Sequence, residues 1–193
     1  MLASLDEQAM AILAKNDRGG FTIPTARLYP FQWNWDSVFI ALGLATMDDD
    51  RAWRELEMLT EGQAHDGMIP SIIFRNDDAD YFPGPNIWQT RNGAINGTGI
   101  SQPPVLASTV AHFVKAQGDN GLKRAKALLP KILEWHRWWH DYRTPEAVDV
   151  VCTVHPWETG RDNCPDWKIG LRNMEIDPNL ETYQRKDIEH ADP

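Results

Sequence analysis

The stretch Tyr29-Pro30-Phe31-Gln32-Trp33-Asn34-Trp35-Asp36-Ser37 runs straight into an apolar helix, Val38-Phe39-Ile40-Ala41-Leu42-Gly43-Leu44-Ala45. Pro30 disfavours helix just before it, so the aromatic segment reads as an ordered loop feeding that helix. Asp36 or Ser37 is well placed to cap the helix. Aromatic rings and an acid gathered at a helix N-terminus also read as the lining of a pocket.

The same pattern, an irregular segment delivering an apolar helix, extends in both directions. Leu5 to Lys15 reads as a helix with Leu5, Ala9, Ile12 and Leu13 on one stripe, closed by Asn16-Asp17-Arg18-Gly19-Gly20. Asp48-Asp49-Asp50 opens a helix that continues to about Gln63, with Ala52, Trp53, Leu56, Met58 and Leu59 on its apolar side. The helix dipole favours three acids in a first turn, which accounts for them better than a calcium loop. Val105 to Gln117 is a further apolar helix, and Asp119 or Asn120 starts another through Tyr142, kinked or restarted at Pro130. Between these helices, residues 65 to 103 form a breaker-rich excursion whose Ile69, Ile72, Ile73, Phe74, Tyr81, Phe82 and Trp88 argue for order. Ala147 to Val154 reads as a short β-rich run, and the chain turns polar after Trp167. Paired apolar helices joined alternately by short turns and long loops imply an all-α toroid, not a bundle.

The chemistry concentrates in His155-Pro156-Trp157-Glu158-Thr159-Gly160-Arg161-Asp162-Asn163-Cys164-Pro165-Asp166-Trp167. Two tryptophans bracket Glu158 and Asp162, with Gly160 supplying backbone freedom between them. A carboxylic acid buried against aromatic walls stays protonated near neutral pH and can protonate a leaving group. The alternative is a Trp-rich core loop carrying two solvated acids. Glu158, on the same short loop as Asp162, reads as a residue that braces it. Gln102, held by Pro103-Pro104, suits either a ligand hydroxyl or a helix cap. His136 and His140 have zinc-ligand spacing but no third ligand, so no metal site is expected.

Composition excludes several classes. The 193 residues carry a formal net charge of −9 and no basic stripe, which argues against a nucleic-acid partner. No apolar run or basic amphipathic helix suggests a membrane, and no secretory signal is visible. Two cysteines make no disulfide scaffold, so a cytoplasmic setting is expected. Nine tryptophans favour flat apolar ligands, among them the apolar faces of sugars.

Three of these motifs together, Tyr29 to Ser37, Gly99-Ile100-Ser101-Gln102-Pro103-Pro104 and Trp157 to Trp167, resemble glycoside hydrolase family 63, and most closely its bacterial mannosylglycerate hydrolase-like branch. The resemblance implies an (α/α)6 barrel, of which residues 1–193 would be the N-terminal part, and an inverting mechanism on α-linked sugars. It implies that Asp162 is the general acid. It also implies that Trp33 and Trp157 wall the subsite, that Asp36 and Gln102 bind sugar hydroxyls, and that Tyr29 lines the site. The family's general base is a Glu in the other half of the domain, and no segment here matches its motif. The isolated chain is therefore expected to be inactive. A small carbohydrate is the expected partner, with no cofactor. A non-catalytic carbohydrate-binding relative is the alternative.

Overall fold

The computed structural model describes residues 4–76, 81–90, 93–146, 148–162 and 164–167. Helix α1 spans Leu5–Asn16 and opens on a capping box, in which Ser4 accepts from the Glu7 N–H and Glu7 accepts from the Ser4 N–H. Its apolar stripe is largely uncovered: Leu5 is 82% and Ile12 60% exposed, and only Leu13 leans on the main core. The paired glycines do not cap the helix as expected. Asp17 ends it in an extended conformation, and Gly19 and Gly20, at φ +80° and +145°, form the turn that lets Asp17 bridge to Thr22.

The two-residue strand β1, Gln32–Trp33, leads directly into α2, Asn34–Leu44. This helix begins four residues before the apolar run, so Asp36 and Ser37 lie inside its first turns and neither is its cap. The cause is tertiary. The Asn34 N–H donates to the Ser71 carbonyl at 3.0 Å, and the Trp35 N–H donates to Gln102 Oε1 at 3.1 Å. Distant partners satisfy donors that a helix start leaves open, and no local capping side chain is needed.

Helix α3, Asp49–Glu61, is capped by Asp48, which accepts from the Arg51 N–H at 2.9 Å. It buries Ala52, Trp53, Leu56 and Leu59 completely. Strand β2, Ile72–Ile73, pairs antiparallel with β1, Gln32 opposite Ile73 and Trp33 opposite Ile72. Helix α4 is a single turn, Pro85–Trp88. Helices α5, Leu106–Gln117, and α6, Asp119–Arg143, complete the described α-helices and pack on each other, as α2 and α3 do. Pro130 does not interrupt α6: Leu128 on one side of it and Ile132, Trp135, Trp138 and Trp139 on the other are buried, and that packing outweighs the missing bond.

The main core joins α2, α3, α5 and α6, while Phe31, Trp33, Ile72 and Phe74 form a second, aromatic cluster around the strand pair. A buried polar chain ties the two regions together. Glu55, fully buried on α3, pairs with Arg51 at 3.0 Å and accepts from Ser37 Oγ at 2.7 Å and from the Thr22 N–H and hydroxyl. Ser37 accepts from Gln32 Nε2, and Gln32 Oε1 accepts from Arg75 Nε. Burial outweighs these partners and pushes the Glu55 carboxyl above its ordinary value.

The described residues are thus mostly helical, with one small two-stranded sheet among them. The β-rich run expected over 147–154 is not a strand among its described residues. Val148, Val150, Val151 and Val154 are all exposed, and among the described residues no neighbouring strand offers a ladder. The polar segment after Trp167 lies outside the described residues. Among the described residues, no helix is long and apolar enough to cross a membrane. No group of three His, Cys, Asp or Glu among them is placed to hold a metal, which includes His136 and His140.

Candidate functional site

Three segments distant in sequence meet at the N-terminus of α2. The first is the Tyr29–Asp36 stretch itself. Trp33 is only 7% exposed, sandwiched in the aromatic cluster with Phe31 stacked at 6.2 Å and Tyr81 edge-on at 5.7 Å. Tyr29 stands edge-on to Trp33 at 5.0 Å and is 46% exposed, so it forms the rim of this cluster.

The second segment brings Gln102. Its side chain is buried, and the bond from the Trp35 N–H makes it a cap supplied across 67 residues to α2, not to the helix that follows it in sequence. The neighbouring Ser101 donates to the Ile69 carbonyl at 2.6 Å and accepts from the Trp135 indole at 3.0 Å, which fixes this strap against α6.

The third segment is the acid loop. Pro156–Thr159 forms a 3-10 turn capped by His155, whose Nδ1 accepts from the Trp157 N–H at 3.2 Å. Glu158, not Asp162, is the buried acid here. It is fully enclosed, paired with Arg143 at 2.7 Å, and accepts from the Val154 N–H at 2.9 Å and the Ser101 N–H at 3.3 Å. These connections leave it no exposed lone pair for a ligand, in keeping with a bracing role. Asp162 is exposed, so the expectation of an acid enclosed between tryptophan walls is not met within this chain. Trp157 is half-buried, 5.0 Å from the His155 ring and 6.3 Å from Trp88.

Asp36 connects the first and third segments. It is half-buried and lines a cleft of about 260 Å³ with Ile12, Thr22, Ile23, Phe39 and Ile40. Burial raises its carboxyl pKa, and the negative charge of Asp162 adds to that push. Bonds from its own backbone and from the Trp35 side chain oppose the rise. Asp162 is therefore close enough to Asp36 for the two charges to interact. A second cleft of about 300 Å³, lined by Phe74, Arg75, Ala94, Ile95 and Asn96, contains none of these residues.

Residues 29–192 match the mannosylglycerate hydrolase MGH1-like glycoside hydrolase domain, a stretch that contains all three segments. The chain belongs to this family. It is 47% identical over its whole length to mannosylglycerate hydrolase MGH2 of Selaginella moellendorffii, of which it covers 40%. It is 44% identical to the mannosylglycerate hydrolase of Thermus thermophilus, with 96% of this chain and 46% of that protein aligned. The crystal structure of a GH63 mannosylglycerate hydrolase from Thermus thermophilus in complex with Tris superposes with a TM-score of 0.87 at 43% identity, over 96% of this chain and 45% of that one. The chain thus spans less than half the length of these mannosylglycerate hydrolase relatives.

Two residues of weight escaped the sequence reading. Glu55 falls on the buried side of α3 beside Ala52, Leu56 and Leu59, and an acid at such a position signals a buried partner set. Arg143, the partner of Glu158, carried no signal, because an arginine ending a helix is ordinary.

Proposed function

We propose that this chain is the N-terminal part of the (α/α)6 catalytic domain of an inverting α-glycosidase that hydrolyses a small mannosyl- or glucosyl-containing glycoside, with mannosylglycerate the first candidate. The observation that carries the reading is the seating of the acid loop at the N-terminus of α2. There the charge of Asp162 acts on Asp36, within a chain of the mannosylglycerate hydrolase-like family.

In this reading Asp162 protonates the glycosidic oxygen as the bond to the anomeric carbon breaks. Water attacks that carbon from the opposite face, activated by a carboxylate roughly 6.5–9.5 Å from the acid. Glu158 cannot be that base, since its lone pairs are engaged by Arg143 and two backbone N–H groups. The base would come from the remainder of the domain. A carboxyl holds its proton near neutral pH only where it is desolvated, so sugar and the remaining helices would have to cover Asp162. Trp157 and the Tyr29–Trp33 pair supply apolar faces for the sugar ring. Asp36 accepts from a sugar hydroxyl, and the Gln102 amide nitrogen donates to one. No metal or cofactor is required for this step.

The test is complementation. This chain, mixed with the C-terminal portion of the Selaginella or Thermus mannosylglycerate hydrolase, is expected to release mannose from mannosylglycerate, while neither part alone exceeds a buffer control. Proton NMR of the first product should show the β-anomer. A first product in the α-configuration sinks the inverting mechanism. Sugar binding without turnover in the folded complex favours a non-catalytic carbohydrate-binding protein.

A further inference from the structure

The acid loop meets α2 closely at Gly160. Gly160 sits at φ +67°, and a Cβ added there would lie 2.5 and 2.8 Å from Trp35 Cζ2 and Cζ3 and closer still to Cη2. Distances under 3.0 Å are not seen for real Cβ atoms, so the glycine backbone rests directly on the six-membered ring of the indole. Trp35 makes two further connections. Its backbone N–H donates to Gln102 Oε1 at 3.1 Å, and its side chain helps hold down the pKa of the neighbouring Asp36. Phe39, one turn further along α2, packs edge-on against the indole at 5.8 Å and limits its tilt. Trp35 is therefore a residue on which all three site segments converge.

We propose that Trp35 is the positioning residue of the acid loop: its indole is the stop against which the Gly160 turn rests, and it sets the placement of Asp162 relative to Asp36. The physical logic is steric. The 3-10 turn before Gly160 is braced by Glu158 and Arg143 from one side, and contact with a rigid ring from the other leaves the loop one seat. Asp162 follows Gly160 by two residues, so a displacement of the turn is passed to it with little slack. Asp36 is the residue after Trp35 on α2, so the ring that stops the turn is tied by the backbone to the other acid of the pair.

The inference rests on the role given to Asp162 above, but its test reads titration, not turnover, so loss of the hydrolase reading would be recognised separately. The experiment is a double-mutant cycle on this chain: Gly160→Asn, Trp35→Phe and both together, with carboxyl carbon-13 NMR following Asp36 and Asp162 against pH. Asn tolerates the left-handed backbone but carries a Cβ, which separates the contact from the φ requirement. Phe removes the far edge of the indole and opens room. Gly160→Asn alone is expected to lift the turn off the ring and draw Asp162 away, lowering the Asp36 midpoint. In the Trp35→Phe background the same substitution should shift neither acid further. An unchanged Asp36 midpoint in Gly160→Asn, or an equal shift in both backgrounds, overturns the proposal. If Gly160→Asn shows no cooperative melt, recovery of the melt in the double variant supports the steric stop, and its absence overturns it.

Discussion

The Arg143 guanidinium holds the Glu158 carboxylate with Nη2 2.7 Å from Oε1 and Nε 3.1 Å from both oxygens, and neither side chain is more than 10% exposed. This clamp ties the end of α6 to the acid loop, and Arg143 also stacks over the Trp138 ring at 4.4 Å. Removing one member leaves a buried charge without its counter-ion. Arg143→Ala is expected to cost about 3–5 kcal/mol in urea unfolding. Pairing it with Glu158→Gln should cost clearly less than the sum of the two single changes. Additive losses would mean the two residues act apart.

Asp162 and Glu158 should separate in kinetics. In the complemented enzyme, Asp162→Asn is expected to lower turnover of a substrate with a poor leaving group by about a hundredfold or more, with binding retained. A near-normal rate removes Asp162 from the role of acid.

Tryptophans of the wall and of the core should fail differently. Trp157→Ala, half-buried, should weaken binding of a mannose or glucose analogue by about 1–2 kcal/mol, as measured by calorimetry. Trp53→Ala should instead lower stability by about 3–5 kcal/mol, since its ring is fully buried against Phe113 and its indole N–H donates to Gln117 at 2.7 Å. Trp33 belongs to both groups, at 7% exposure within the aromatic cluster, so Trp33→Ala should move both readouts.

His155 should make the loop sensitive to acid. Its Nδ1 accepts from the Trp157 N–H only when neutral, and burial pushes its pKa below the ordinary value although Glu158 pulls it up. A depressed histidine pKa means the unfolded chain takes up the proton first. Its contribution is therefore complete above about pH 6.5 and falls away as pH drops through the folded value. His155→Asn, which can still cap the turn, should flatten this part of the stability–pH curve. Parallel curves for wild type and variant between about pH 7 and pH 5 would contradict it.

Much of the helical frame was legible in the sequence because its signals are local. The start of α1 at Leu5 is kept to the residue, and the acids at 48–50 open α3, with Asp48 as its cap. What escaped was set at long range. The start of α2 depends on Ser71 and Gln102, so no reading of residues 30–40 alone could place it before Val38. The β1–β2 pair is two residues long on each side, too short to show alternation. In contrast, the valines at 148–154 had strand propensity and no partner to pair with. At the site, the spacing of Glu158 and Asp162 was visible, but only the position of Arg143 decides which acid is enclosed.

The bond between Trp35 and Gln102 has a consequence for the order in which the molecule forms. The α2–α3 and α5–α6 hairpins close over a few residues, while this bond spans 67 residues and the one from Ser101 to Glu158 spans 57. Contacts of such separation carry the largest loop-closure cost and form after local ones. During refolding, helical circular dichroism should therefore recover before the tryptophan fluorescence of the acid loop. The chain would pass through a stage that has its helices and no site.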